Sequence, residues 1–263
     1  MVFELKLYIE SLLDKGKRTD NRNLDEYRKP ITIEYGVSAK SAEGSARVSI
    51  GETIVVAGIK FGVDKPYPDN PDQGTIIVNA ELLPLSSPEF ESGPPDVSAI
   101  EMARIVDRAI RESKALDFKK LCIKEGEKCW IIFIDLYTIN DAGNLFDAAN
   151  LAAIAALQDA RYPKYNEETD NVEYDERTEK PLALERIPIS CTILKIGKNL
   201  VVDPTTDEEK AMDARLTVAT ADKDIICAMQ KGGETSLSID EVKAMIEIAF
   251  KKREELLKHL KRK

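Results

Sequence analysis

The sequence predicts an α+β protein of two similar halves, each a set of β-strands completed by a helix. Three observations carry this expectation. β-Branched, partly alternating runs fill residues 31–84 and return in residues 187–230. Helical patterning follows each block, the second time as a long C-terminal segment. The chain has 263 residues, 43% hydrophobic and 32% charged, so it can bury a real core. The expected division is an N-terminal helix and Arg/Asp loop over 1–30, a first domain over 31–165 and a second over 181–263.

In chain order, an amphipathic helix is expected from Phe3 to Lys15, followed by the polar loop RTDNRNLDEYRKP. ITIEYG, SARVSIG, TIVVAGIKFGV and GTIIVNAELLP read as strands broken by Gly and Pro, and Ile76, Val78, Ala80 and Leu82 share one face. LSSPEFESGPPD opens a helix of about Ser98 to Leu116, with Asp96 or Ser98 as its cap. CWIIFIDLYTI is almost continuously apolar and reads as a strand buried on both faces. NDAGN leads into LFDAANLAAIAALQDA, an Ala-rich helix suited to close packing. The charge-laden NEETDNVEYDERTEK reads as an exposed excursion. IPISCTILKI, LVVD, RLTVAT and DIICAMQ supply the second set of strands, with a turn at Gly197-Lys198-Asn199. A long helix starts near Ser238, where Ser-Ile-Asp-Glu resembles a capping box, and KHLKRK reads as its frayed, solvated end.

Composition excludes several chemistries. The one histidine, His259, lies in the basic tail, which removes His-based triads, H-E-x-x-H metal sites and His acid–base pairs. Four cysteines form no C-x-x-C pair, so reduced thiols in the cytoplasm are expected, with no metal and no cofactor. No run approaches the roughly 18 apolar residues of a membrane span, and the first residues lack a secretory cleavage pattern. A net charge of −9 argues against coating nucleic acid over the whole surface, but leaves room for a local basic track.

Such a track is visible. In EMARIVDRAIRESKAL, Arg104, Arg108 and Arg111 fall within about 60° of one another on a helix, opposite Met102, Ile105, Val106, Ala109 and Ile110. They form either a solvated face paired with Glu101, Asp107 and Glu112, or a phosphodiester contact, for which the planar guanidinium is well suited. Two further stretches could carry chemistry. Asp141-Ala142-Gly143-Asn144 stands at a helix mouth, where backbone N–H groups could cradle phosphate or simply form a capped turn; Gly143 is the residue expected at φ > 0. VDPTTDEEKAMDARLTV crowds Asp207, Glu208, Glu209 and Asp213 into one connection, with Arg215 at the start of the next strand.

KRTDNRNLDEYRKPITIEYG, EGSARVSIGETIVVAGI, the Arg helix, INDAGNLFDAANLAAIAAL and VDPTTDEEKAMDARLTVAT together resemble the RNase PH family in order and spacing, from about residue 15 to 250. RTDNR, MDARLTV and MQKGGETSLS resemble most the non-catalytic RNase PH-like subunits of archaeal exosomes. The resemblance implies an RNase PH-like fold and a phosphorolytic 3′-to-5′ exoribonuclease, in which phosphate attacks the last phosphodiester bond. It implies a catalytic RNase PH-like partner, three heterodimers per ring, RNA-binding cap proteins and single-stranded RNA held by basic side chains, here Arg104, Arg108 and Arg111. Arg18 and Arg22 fall in the family's N-terminal motif, where pairing with Asp20 or another acid is expected.

Active members of this family resemble one another in an Asp-Gly-Gly-hydroxyl loop, often followed by a basic residue, and in two carboxylates six residues apart, the second being the catalytic acid. Here Asp141 and Gly143 match, but Ala142, Asn144 and Leu145 replace the first glycine, the hydroxyl and the basic residue. Glu209 falls at the first carboxylate and Arg215 at the second. A guanidinium cannot donate a proton at neutral pH, so no catalytic residue is expected in this chain. Arg215 has two readings, an ion pair with Glu209 or Asp213, or a contact to RNA or partner. Asp207 and Glu208 read as solvated loop acids. Two rival functions remain open: a self-sufficient phosphorolytic nuclease using Asp213 or Glu209, and a binding module with no RNA role.

Overall fold

The computed structural model describes residues 2–166, 169, 171–222 and 224–260. The first helix, α1, spans Val2–Leu13. Four strands follow: β1 Ile31–Tyr35, β2 Gly44–Ile50, β3 Thr53–Asp64 and β4 Thr75–Glu81. Helix α2 covers Val97–Glu112. After a 3₁₀ turn at Phe118–Leu121 come β5 Cys122–Lys124, β6 Lys128–Asn140 and helix α3 Leu145–Asp159. The first sheet has the order β1-β2-β3-β6-β4, with β5 on β6; β4 and β6 run parallel and the other pairs antiparallel.

Strands β7 Arg161–Asn166 and β8 Asn171–Pro181 form a separate two-stranded sheet. The second half contains β9 Ile189–Ile196, β10 Asn199–Val202, the short helix α4 Thr206–Ala211, β11 Ala214–Ala221, β12 Ile225–Gly232 and helix α5 Ile239–Leu257. Its antiparallel sheet has the order β10-β9-β11-β12.

One main core runs through both halves, and α3 lies at its centre. Residues 147–157 of α3 are all buried, because alanines at 148, 149, 152, 153, 155 and 156 let β2 and β3 approach on one side and β9 on the other. Ile193, Leu216 and Val218 of the second sheet share this core with Ile59, Ile132 and Ile134 of the first. The opposite face of the second sheet, with Leu194, Ile196 and Val201, is covered by Ile9 and Leu13 of α1 and Ala211 of α4. Asp96 caps α2 by accepting the Ala99 N–H at 2.8 Å, and Ser238 with Glu241 forms the expected capping box of α5.

Four local expectations are corrected. The β6 strand is not buried on both faces: buried residues alternate with half-exposed Ile131, Phe133, Asp135 and Tyr137, because no helix covers that face of the first sheet among the described residues. The exposed NEETDNVEYDERTEK stretch is not a loop without strands: it forms the end of β7 and most of β8 of a hairpin, with residues 167, 168 and 170 outside the described residues. Tyr162 on β7 packs its ring on Phe61 and Trp130, which ties the hairpin to the first sheet. The loop acids 207–209 belong to α4. The C-terminal end is not simply solvated: Leu260 is buried and its carbonyl accepts the Tyr35 hydroxyl at 2.9 Å, while His259 is exposed and residues 261–263 lie outside the described residues.

Candidate functional site

Between β6 and α3, residues 141–144 form a tight loop pressed on the start of α4. Gly143 adopts φ +95°, and a Cβ there would meet the Pro204 carbonyl oxygen and lie 2.7 Å from the Thr205 carbonyl carbon. Only glycine permits this approach. The next residue, Asn144, is also left-handed, at φ +56°, a conformation that asparagine tolerates better than most residues.

The loop's N–H groups are already engaged by the protein. Ala142 N–H donates to the Thr53 hydroxyl at 3.2 Å, Gly143 N–H to Asp141 Oδ1 at 2.9 Å, and Asn144 N–H to Glu209 Oε1 at 2.9 Å. Asn144 makes no side-chain cap on α3; its amide turns inward to Asp147 Oδ2 at 3.0 Å and Asp203 Oδ1 at 2.9 Å. The loop is thus neither a plain capped turn nor an open cradle. Its carbonyls point the other way: Arg28 donates to those of Ala142 and Gly143, and the Thr53 hydroxyl donates to that of Gly143 at 2.6 Å.

Asp203, which sequence reasoning missed, organises this region. It is fully buried at φ +49°, and its carboxylate accepts from the Arg28 backbone N–H at 2.7 Å, the Arg28 side chain, Arg22 Nη1 at 2.9 Å and Asn144. Two guanidiniums and an amide satisfy a charge that would otherwise be costly to bury. Arg22 also pairs with Asp20, as expected, at 2.6 Å. Arg18 is buried against Glu208 at 2.5 Å and donates to the carbonyls of Val202 and Asp203. Glu208 is therefore not a solvated acid: it closes a capping box with Thr205 and carries a buried ion pair, while Asp207 is exposed.

Glu209 and Arg215 sit on either side of the short connection from α4 to β11. Burial of the Glu209 carboxylate pushes its pKa up to about 7; nearby Asp141 adds to this, while the Asn144 N–H, Arg215 and Arg28 oppose it. Asp141 is also raised, again mainly by burial. Arg215 does not pair with Glu209 or Asp213. Its guanidinium donates to Glu101 Oε1 of α2 at 2.6 Å and lies over the Phe146 ring, 4.4 Å from the centroid. Its other side meets Gly232, the residue opposite it on β12, where any Cβ would come within 2.8 Å of the guanidinium carbon. The arginine is held flat between a ring and a glycine and tied to a carboxylate.

Asp213 precedes β11 and faces elsewhere. It accepts from Lys6 of α1 and from the Gly197 N–H at 2.7 Å. Burial pushes its pKa up, but Lys6 and that N–H outweigh the effect and hold it below the ordinary carboxylate value. The Asp213 carboxylate and the Arg215 guanidinium therefore serve different elements, the first α1 and the β9–β10 turn, the second α2.

The three arginines of α2 share one stripe but enter different furrows. Arg104 is exposed beside Val78, Asn79 and Glu81 of β4. Arg108 is half-buried against Thr217 of β11 and Gln230 of β12. Arg111 pairs with Asp107 at 2.8 Å, as its i,i+4 spacing suggests, donates to the Ile76 carbonyl at 3.2 Å and lies 5.5 Å from the Phe118 ring centroid. Glu101 is drawn away from the stripe by Arg215.

Comparison with known proteins fits this architecture. The 3′ exoribonuclease family matches as domain 1 over residues 27–163 and domain 2 over residues 186–252. The chain is 50% identical to the exosome complex component Rrp42 of Pyrococcus abyssi, covering 95% of this chain and 91% of that protein. It is 45% identical to the exosome complex component Rrp42 of Methanothermobacter thermautotrophicus, covering 96% and 92%. Its fold superposes with TM-score 0.90 and 44% identity on a chain of the Archaeoglobus fulgidus exosome with RNA bound to the active site, covering 99% of both chains. The chain belongs to the RNase PH family of 3′ exoribonucleases.

Proposed function

We propose that this chain is a non-catalytic, RNA-binding and structural subunit of an exosome, a phosphorolytic 3′-to-5′ exoribonuclease ring of the cytoplasm. In this reading it pairs with a catalytic RNase PH-like subunit, three heterodimers close the ring, and RNA-binding cap proteins sit on it. The chain shapes the partner's active site and lends Arg104, Arg108 and Arg111 to the RNA path, while bond cleavage takes place in the partner. The relatives named as exosome components support membership of such a complex. Among the described residues, no helix is long and apolar enough to cross a membrane.

The observation that carries the non-catalytic reading is the locked Arg215. A permanently charged group, tied to Glu101 and stacked on Phe146, fills the position where the family pattern calls for a proton donor. The N–H groups of the phosphate loop are committed to Thr53, Asp141 and Glu209. A second reading keeps some support from one observation: Glu209, with its pKa raised to about 7, holds a transferable proton near neutrality. Against it, the Glu209 carboxylate is engaged by the Asn144 N–H and lies next to the loop that would have to hold the attacking phosphate.

The test pairs the chain with an RNase PH-like partner and measures mass by light scattering and oligo(A) affinity at several salt concentrations. A ring of three heterodimers whose RNA affinity falls when Arg104 and Arg108 are both changed to Glu supports the proposal. Each lost phosphate contact should flatten the slope of log K against log salt by about 0.7. An unaltered affinity and slope would remove the RNA role, and a complex of other stoichiometry would remove the ring.

A further inference from the structure

A cleft of about 1040 Å³ opens between the end of α2, the start of β4 and the 3₁₀ turn at Phe118–Leu121. It lies away from the loop of residues 141–144 and shares only Arg111 with the arginine stripe. Four cations line it, Arg111, Lys114, Lys119 and Arg186, against the carboxylates of Asp117 and Glu185. Three of these cations also have acid partners at the rim, Asp107, Asp72 and Asp222, which leaves Lys114 as the lining cation without one among the described residues.

The cations are available to a ligand. Arg111 and Lys119 hold Asp107 and Asp72 in partly exposed pairs, Arg186 reaches Asp222 loosely at 3.4 Å, and Arg111 and Arg186 each also donate to a backbone carbonyl, of Ile76 and Ser113, which fixes their place at the cleft. Such pairs are weakly held in water and exchange readily for another anion. Lys114, exposed just past the end of α2, has no acid partner for its ammonium among the described residues.

The other wall is aromatic and stiff. Tyr67 is 65% exposed, so one face of its ring is open to solvent at the cleft. It sits in KPYPDNPDQG, where Pro66, Pro68 and Pro71 restrict the backbone. Turn bonds Asn70 N–H to Tyr67 C=O at 2.9 Å and Gln73 N–H to Asn70 C=O at 3.2 Å fix the loop. Its ends are anchored by Gly74 N–H to Phe118 C=O at 2.9 Å and Gly126 N–H to Pro71 C=O at 2.8 Å. A ring held out in water by a rigid loop offers a stacking surface at little entropic cost on binding. Asn70 and Gln73 add amides that can pair with a base edge.

We propose that this cleft binds one nucleotide unit of single-stranded RNA, with the base stacked on Tyr67 and the phosphate held by Lys114 and Arg111. It is an accessory site that guides the strand beside α2 and takes no part in cleavage. Aromatic stacking combined with a cationic groove is the chemistry by which single strands are held without sequence preference. The inference rests on the reading of this chain as an RNA-contacting subunit.

The test measures binding of a fluorescent oligo(U) 10-mer by anisotropy to the full chain, at fixed salt, for Tyr67→Ala, Lys114→Glu and the Arg104→Glu/Arg108→Glu variant. Thermal melts check that each variant is folded. Photocrosslinking with a 4-thiouridine-containing oligomer maps the contact, and AMP and inorganic phosphate serve as competitors. The expected result is about a tenfold loss of affinity for Tyr67→Ala and a comparable loss for Lys114→Glu, with a crosslink in residues 65–74. If both single variants bind within twofold of the parent while the double arginine variant is weakened, the accessory site is wrong and the RNA-subunit reading stands. If none of the three is weakened, both fall together. Displacement of the RNA by phosphate alone at millimolar levels, without any effect of Tyr67→Ala, would also overturn the site as a nucleotide binder.

Discussion

At the residue scale, function turns on which charge occupies which position, and Arg215 and Glu209 show how far a sequence speaks to this. That a guanidinium replaces an acid is plain from MDARLTV, but its partner is not. Glu101 lies 114 positions away, and Gly232, which makes room for the guanidinium, is fixed only by the β11–β12 register. Asp203 was equally invisible as a hub, because its importance comes from the convergence of Arg22 and Arg28 of the N-terminal loop with Asn144, two segments far apart in sequence from Asp203 and from each other.

Glu209 supplies a pH prediction at the same scale. Its folded pKa of about 7 lies above the ordinary glutamate value of 4.5, so the folded state binds the extra proton between those limits. Stability contributed by the protonated form is complete below about pH 4.5 and is lost as pH rises through about 7. Glu209→Gln, which keeps an oxygen for the Asn144 N–H, should therefore stabilise the protein at pH 8 relative to pH 5, by about 2–3 kcal/mol in the difference. Urea unfolding of both proteins at the two pH values measures it. An equal effect at pH 5 and pH 8 would show that Glu209 titrates normally.

At the element scale, period and capping signals were readable and burial was less so. The helix cap at Asp96, the capping box at Ser238 and the Ala-rich α3 follow from local chemistry. The continuous apolar run of β6 does not reveal that one of its faces lacks a covering layer, since apolar side chains can occupy an exposed face as well as a buried one. Helix α4 is hard to read from sequence because six residues make fewer than two turns, and its Thr205–Glu208 box is hidden among the acids. The β7–β8 hairpin carries more charge than strands usually do, so composition pointed to an exposed excursion and not to its strand pairing.

The loop from β6 to α3 depends on Gly143, the one loop glycine retained from the family pattern. Gly143→Ala should cost about 2–5 kcal/mol, combining a left-handed alanine with a side chain driven into the Pro204–Thr205 backbone. Ala142→Gly, which restores the family's other glycine, should change stability by less than about 1 kcal/mol. Differential scanning calorimetry of the two variants distinguishes them; equal melting temperatures would mean that α4 does not press on the loop.

At the scale of the whole molecule, the two halves foreseen from strand patterning are joined more tightly than the sequence suggested. Both sheets pack on α3, and the Arg18–Glu208 and Arg28–Asp203 pairs tie the N-terminal loop to the second half. In the non-catalytic reading proposed above, the architecture of an exoribonuclease is kept while Arg215 and the loop of residues 141–144 do structural work. Arginine and aspartate side chains brace the loops, the N–H groups of residues 142–144 donate to Thr53, Asp141 and Glu209, and α2 carries Arg104 and Arg108 beside β4 and beside β11–β12. The central claim is most directly tested by incubating the purified chain alone with oligo(A) and inorganic phosphate and measuring ADP release, then repeating the assay with an RNase PH-like partner. No phosphate-dependent ADP above background from the chain alone, and release once the partner is added, is the predicted result. Sustained phosphate-dependent ADP release by the isolated chain, abolished by Glu209→Gln, would contradict it.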